Sequence, residues 1–255
     1  MTPSATAEGF ESPSLRSLGD GGSHAYELKF LVDSDAAEKI EHWARRHLTL
    51  DPHGDALLGG AYRTTTIYAD TPELDVYHRS PSYARRKFRV RRYGAMPWVF
   101  LERKLRSETR VIKRRVVVPL EEVGALSDSD SLSDGAWTGE WFRQQLFVRR
   151  LQPAAQIQYL RHAFVGVCPE GPLRLTLDHD IRGVEVGGWK IGDCRGGLAV
   201  LHGRVVLELK FLGGLPRPFK ELVEEFGLQP QGVSKYRLWR EAAGALPLDD
   251  GEPRA

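Results

Sequence analysis

An α+β fold, mainly an antiparallel β-barrel with peripheral helices, is predicted for this 255-residue chain by three observations. Period-2 alternation recurs far more often than helical spacing. In the most regular of these segments one face is aliphatic or aromatic, whereas the other carries Lys and Arg with isolated carboxylates. The few helical segments carry apolar stripes suited to covering the outside of a sheet. A composition of 41% hydrophobic and 27% charged residues excludes wholesale disorder. The net charge of +2 does not point to a polyanion, but its distribution does. Residues 79–115 hold fourteen Lys/Arg against Glu102 and Glu108, a local +12, so the remainder of the chain carries −10. Charge segregated in this way marks a site for something anionic.

Residues 1–23, small, polar and Gly/Ser-rich, predict a flexible leader; 24–245 reads as one domain and 246–255 as a flexible tail. Strand 26–32 places Glu27 and Lys29 on one face and Tyr26, Leu28, Phe30 and Val32 on the other. Asp33, a capping type, opens a helix over 34–48 whose stripe is Ala37, Ile40, Trp43, Ala44 and Leu48. Strand 62–68 follows. In 85–93, Lys87, Arg89 and Arg91 line up opposite Phe88 and Val90. In 98–105, Glu102 and Lys104 oppose Val99, Leu101 and Leu105. Strand 110–118 carries Lys113, whose face a one-residue slip past Arg114 and Arg115 would reverse. The acidic, Ser-rich stretch 121–139 reads as a surface connection, and 139–150 as a helix with Trp141, Phe142, Leu146 and Phe147. Strand 155–166 leads to 173–181, where Arg174, Thr176, Asp178 and Asp180 alternate with leucines. In 204–211, Arg204, Glu208 and Lys210 oppose Val205, Leu207, Leu209 and Phe211. A helix over 218–227 opens with proline and closes with glycine. Residues 234–243 form a last helix, with the Ser234 hydroxyl placed to cap it.

A single charged strand face is what any half-buried antiparallel sheet shows. Five strands sharing the habit predict a closed or nearly closed barrel, packed outside by helices and lined inside by cations and a few acids. Such a lumen repels itself when empty, and makes sense when filled by a polyanion with carboxylates holding a divalent cation. Arg85, Arg86, Arg92 and Arg103 fall off the lumen face. No Ser/His/Asp or Cys/His set stands out, and the eight histidines are scattered, with none assigned to metal. Cys168 and Cys194 lack metal-ligand spacing and fit a reducing compartment. No apolar run approaches the roughly 18–20 residues of a membrane span, and the start shows no secretory signal, so a cytoplasmic protein is expected. Nucleic acid is not an expected partner, because the basic strands lack an aromatic stacking platform.

Tyr26-Glu27-Leu28-Lys29-Phe30, Lys87-Phe88-Arg89-Val90-Arg91-Arg92-Tyr93 and Phe100-Leu101-Glu102-Arg103-Lys104 resemble the vacuolar transporter chaperone (VTC) domain. So do Tyr159-Leu160-Arg161-His162-Ala163-Phe164, Arg174-Leu175-Thr176-Leu177-Asp178, Leu207-Glu208-Leu209-Lys210 and Ser234-Lys235-Tyr236. That domain is the polyphosphate polymerase branch of the CYTH-like, triphosphate tunnel superfamily, and the ordered match spans roughly residues 24–240. The resemblance implies a tunnel-shaped barrel that transfers the γ-phosphate of ATP onto a growing polyphosphate chain with Mn²⁺ or Mg²⁺. Carried over by position, the catalytic cations would be Lys29, Arg89, Arg91, Lys104, Lys113, Arg161, Lys210 and Lys235. Glu27, Arg174 and Ser234 would bind substrate, and Glu208 would hold the metal with help from Glu102 and Asp178. Hydrolytic relatives open with Glu-x-Glu-x-Lys, whereas Ala25 stands at the first acid here, which favours polymerase over triphosphatase. A triphosphatase on the same barrel and a non-catalytic polyphosphate binder are the alternatives. The sensor domain and membrane helices of eukaryotic polymerases do not fit in this chain, so coupling to transport would need a separate membrane protein.

Overall fold

The computed structural model describes residues 25–106, 111–127 and 137–244. The expected leader, the tail and part of the 121–139 connection lie outside the described residues. Ten strands form one antiparallel sheet. They are β1 (Ala25–Asp33), β2 (Thr49–Leu50), β3 (Tyr62–Asp70), β4 (Arg86–Tyr93), β5 (Trp98–Arg106), β6 (Val111–Pro119), β7 (Gln152–Cys168), β8 (Gly171–Glu185), β9 (Leu198–Ala199) and β10 (Arg204–Leu212). The order across the sheet is β1-β10-β8-β7-β3-β4-β5-β6, with β2 on β7 and β9 on β8. The eight strands read from alternation are all present. β7 and β8 run beyond the expected ends, to 17 and 15 residues, and the two-residue strands β2 and β9 are too short to leave a pattern.

Apolar side chains face outward and the helices cover them. Helix α1 (Ser34–His47) starts where Asp33 accepts a hydrogen bond from the Ala36 amide (2.7 Å), and its last turn is basic, which suits the carbonyl end of the helix dipole. Its buried stripe of Ala37, Ile40, Trp43 and Ala44 packs with Phe30, Phe164, Leu175, Leu177, Leu207 and Leu209 on the outer wall. Helix α2 is the short Asp75–His78 turn. Helix α3 (Glu140–Val148) lays Phe142 and Leu146 on Phe88, Val90, Val99 and Leu101. Helix α4 (Arg217–Glu225) adds Phe219 and Leu222 to the first wall. Each fully buried Phe or Leu here contributes on the order of 1.5–3 kcal/mol. The start of the 121–139 stretch, expected to be a surface connection, belongs to a 3₁₀ helix (Leu120–Ser127) that buries Val123 and Leu126 against the same core as α3.

The last helix, α5 (Lys235–Ala242), fixes the functional end of the fold. It lies close against β8 because Gly183 has no side chain: a Cβ there would come within 2.4 Å of Trp239. Tyr236 donates to buried Asp70 (2.6 Å), which also accepts from the Val76 and Tyr77 amides and so ties α5 to α2. Ser234 makes no capping bond; its hydroxyl accepts from Lys87 Nζ at 3.2 Å instead.

Strand pairing alone does not close the barrel. Among the described residues no ladder joins β1 to β6. The Gln231 amide donates to the Lys29 carbonyl (2.8 Å) at the open side of β1, while Ser234 reaches β4 through Lys87. The segment before α5 therefore bridges the seam. Across it Glu27 on β1 meets Lys104 on β5 at 3.6 Å, so the sheet is curled into a barrel with the charged faces inside.

A bulge corrects one expected face. The β7–β8 register shifts between Gln158 and Leu160, and Asp180 takes a left-handed φ of 44°. Asp180 is thereby turned to the exterior, where it pairs with Arg182 (2.7 Å), and the β8 lumen row ends at Asp178.

Candidate active site in the tunnel

Register determines which charges meet. Across β1 and β10, Lys29 lies opposite Glu208 and Glu27 opposite Lys210. Across β4, β5 and β6, Arg89 faces Glu102, which in turn faces Arg115. Across β7 and β8, Arg161 faces Asp178. Opposite-charge neighbours of this kind stabilise a sheet. One row breaks that rule: Lys87, Lys104 and Lys113 stand directly opposite one another on β4, β5 and β6. Lys210 similarly faces Arg174 across β10 and β8. Like charges in register destabilise a sheet unless something anionic lies between them.

Each buried carboxylate gathers several cations. Glu102, 1% exposed, has Arg89 at 2.5 Å, Arg115 at 3.1 Å, Lys113 at 3.6 Å and Arg91 at 3.9 Å. Asp178 takes Arg161 on both oxygens (2.6 and 2.7 Å) and Lys235 at 2.6 Å. Glu208 receives Lys29 at 3.2 Å, Lys235 at 3.5 Å and Arg161 at 3.7 Å. Glu27 receives Lys29 at 3.0 Å, and Lys104 and Lys210 at 3.6 Å. Burial opposes ionisation of all four acids. The surrounding cations overcome it and hold each carboxyl below its usual range.

Even so, positive charge is in excess. Eleven cations (Lys29, Lys87, Arg89, Arg91, Lys104, Lys113, Arg115, Arg161, Arg174, Lys210 and Lys235) stand against Glu27, Glu102, Asp178, Glu208 and Asp51. Burial, and the cations around each, lower the pKa values of Lys87, Lys104 and Lys210. Lys87 is pushed furthest, to about 7, by burial and then by Lys29, Lys104 and Arg89. Tyr93 reaches about 7 from the other side: burial would raise it, but Arg91 and Arg115 pull its phenol down.

These two groups predict how the empty protein responds to pH. Between about 7 and their ordinary values, the unfolded chain holds protons that folded Lys87 and Tyr93 have released. Stability therefore rises as pH increases through this window. The melting temperature of ligand-free protein is expected to climb by a few degrees between about pH 6 and pH 9, and Lys87→Met should flatten the climb. A flat or falling profile in the wild-type chain would contradict the crowding of charge around Lys87.

The structure thus gathers Glu27, Lys29, Arg89, Arg91, Glu102, Lys104, Lys113, Arg161, Arg174, Asp178, Glu208, Lys210 and Lys235 on one inner surface, with Ser234 touching it through Lys87. Lys113 faces inward and Arg114 outward, stacked over Trp141 at 4.2 Å. Arg92 and Arg103 also point outward, to the Met96 carbonyl and to Trp141. Glu102 and Asp178, expected to assist a metal, are surrounded by guanidinium and ammonium groups, and Glu102 Oε1 is buried without a hydrogen-bond partner among the described residues. Glu27 and Glu208 are likewise ringed by cations, and they share one of them. Each places one oxygen on the same Lys29 ammonium, at 3.0 and 3.2 Å, so a cation already occupies the space between two hard oxygen donors. That donor set fits Mg²⁺ or Mn²⁺.

Sequence reading left several tunnel residues out of the site. Lys87 was read onto the charged face but not into the site, and Arg115 was available from alternation once the β6 register is known. Asp51, which pairs with Arg174 at 2.7 Å, comes from the loop after β2 and has no local signal. Tyrosines were also underestimated: buried Tyr62, Tyr68 and Tyr159 carry the same inner face, Tyr159 with Arg161 and Lys235 over its ring.

Among solved structures, a proposed adenylate cyclase from Bacillus halodurans matches with a TM-score of 0.51 at 13% identity, covering 83% of this chain and 94% of its own. A proposed adenylyl cyclase from Hippeastrum with a dominant triphosphatase activity matches at 17% identity and a TM-score of 0.48, covering 88% of this chain and 98% of its own. No match is found among curated proteins. The first likeness agrees with the fold described above. The model of the VTC domain matches residues 24–241, and the chain belongs to that family.

Proposed function

We propose that this chain is a polyphosphate polymerase, transferring the γ-phosphoryl group of ATP to a polyphosphate chain held in the tunnel. The observation that carries the reading is the state of the carboxylates. Glu27, Glu102, Asp178 and Glu208 are each engaged by several cations that hold their carboxyls below the usual range, which supports transfer to an acceptor that needs no general base. A terminal phosphate is such an acceptor at neutral pH, whereas water attack is helped by a base. The in-register lysines Lys87, Lys104 and Lys113 provide point charges along the polymer. Arg89, Arg91 and Arg161, fixed by Glu102 and Asp178, present guanidinium forks to phosphate oxygens. Lys29, Lys210 and Lys235 surround Glu208 and Glu27, which would hold the metal. When bound, Mn²⁺ or Mg²⁺ supplies charge neutralisation on the phosphate oxygens.

Ser234 would orient Lys87 toward substrate, and Arg174, set by Asp51, would bind the far end of the phosphate run. Among the described residues no helix is long and apolar enough to cross a membrane, and both cysteines are free. A cytoplasmic enzyme, with any transport supplied by a separate membrane protein, is the accompanying proposal.

Incubation with ATP and Mn²⁺, followed by gel analysis, is the direct test. Long polyphosphate is the expected product. Free phosphate released from tripolyphosphate without chain growth would establish a triphosphatase instead, and salt-sensitive polyphosphate binding without turnover a binding module.

A further inference from the structure

On the outer side of the wall, opposite the buried Arg161–Asp178 pair, a separate cluster of metal-binding groups forms. Arg161 and Asp178 point into the tunnel, so the next residue on each strand, His162 and His179, points out. The two imidazoles are diagonal neighbours on β7 and β8, with ring centres 5.2 Å apart. Glu41 reaches down from α1, and its Oε2 lies 2.8 Å from His162 Nδ1. One ligand atom from each of Glu41, His162 and His179 lies within 4.8 Å of the others, and all three side chains are half-buried. These are two of the histidines that look scattered in sequence; the β7–β8 hairpin and the helix above it bring them together.

We propose that Glu41, His162 and His179 form a binding site for a transition metal of the imidazole-preferring class, Zn²⁺ foremost, distinct from any cation held in the tunnel. Two neutral imidazoles and one carboxylate form a donor set typical of Zn²⁺, leaving a fourth position for water. Tetrahedral coordination at about 2.0–2.1 Å brings ligand atoms about 3.3 Å apart, which small side-chain rotations reach from the present spacing. Two further observations point to a ligand. His179 Nε2 is buried without a hydrogen-bond partner, so this ring has not found an alternative polar role among the described residues. Arg45 holds the other oxygen of Glu41, with Nη2 at 2.6 Å and Nε at 3.1 Å, and so orients Oε2 toward the imidazoles as an outer-shell partner does. A metal here would clamp α1 to the two strands that carry Arg161 and Asp178, and so brace the tunnel wall from behind.

The test uses untagged full-length protein titrated with Co²⁺ and then Zn²⁺. One equivalent of Co²⁺ with the visible absorption of a tetrahedral N/O site, displaced by Zn²⁺, is expected. His162→Ala and His179→Ala should each weaken binding by at least about 10-fold and abolish the rise in melting temperature that Zn²⁺ gives the wild type. Glu208→Gln and Glu27→Gln, in the tunnel, should leave the Co²⁺ spectrum unchanged. His179→Gln serves where alanine lowers the yield of folded protein. A wild-type chain without tetrahedral absorption, binding unaffected in both histidine variants, or binding lost in the tunnel variants would each overturn the proposal.

Discussion

Arg89→Ala and Lys210→Ala are each expected to lower phosphoryl-transfer turnover by about 100-fold or more while the protein stays folded. Both side chains lie on the inner face, and neither contributes to the helix-covered outer walls where folding energy is concentrated. Lys210 faces Arg174 across the ladder, and burial lowers its pKa. Removing it relieves repulsion in the empty tunnel, so the melting temperature should hold or rise. Arg89 leaves Glu102 with three other cations, Arg91, Lys113 and Arg115, so the carboxylate is not stranded. The measurement is polyphosphate synthesis from ATP and Mn²⁺ beside a thermal melt of the same preparation. Near-normal synthesis by the folded double variant would remove these residues from the mechanism.

Glu102→Ala should have the opposite profile, with stability lost first. Glu102 is the buried anion on which Arg89, Arg91, Lys113 and Arg115 converge. Taking it away leaves buried cations unpaired, an effect worth about 3–5 kcal/mol, read as a fall in melting temperature on the order of 10 °C. Tripolyphosphate can replace the missing charge, so adding it should recover more of the melting temperature in the variant than it gains in the wild type. A variant that melts within a degree or two of the wild type without ligand would mean that Glu102 is not the anchor of the cation cluster.

The contrast between these variants follows from the inverted layering of the barrel. In most antiparallel sheets one face is apolar core and the other is wet surface. Here Phe30, Leu207, Phe88 and Leu101 turn outward beneath helices, and the inner face carries paired charge plus an excess of cations. An anion bound in the tunnel would therefore be coupled to folding through electrostatics. On this layering Glu102 is expected to matter first for stability, and the cations in excess of the carboxylates for a ligand.

Local alternation was enough to read the strands and the faces of Lys29, Arg89, Arg91, Lys104, Glu208 and Lys210, because side-chain direction in a strand repeats every two residues whatever the partner. Lys113 shows the limit of that rule. Its direction depended on where β6 sits against β5, and the pairing of Lys104 with Lys113 settles it. Matters involving two distant segments were beyond local reading. They include the bulge that turns Asp180 out, the Lys87–Ser234 bond that replaces a helix cap, the seam bridged by Gln231, the Asp51–Arg174 pair, and the meeting of Glu41 with His162 and His179. Strand faces come from backbone geometry between adjacent residues. The partner of each charge comes from strand register and helix docking, set by packing between segments far apart in the chain, 147 residues in the case of Lys87 and Ser234.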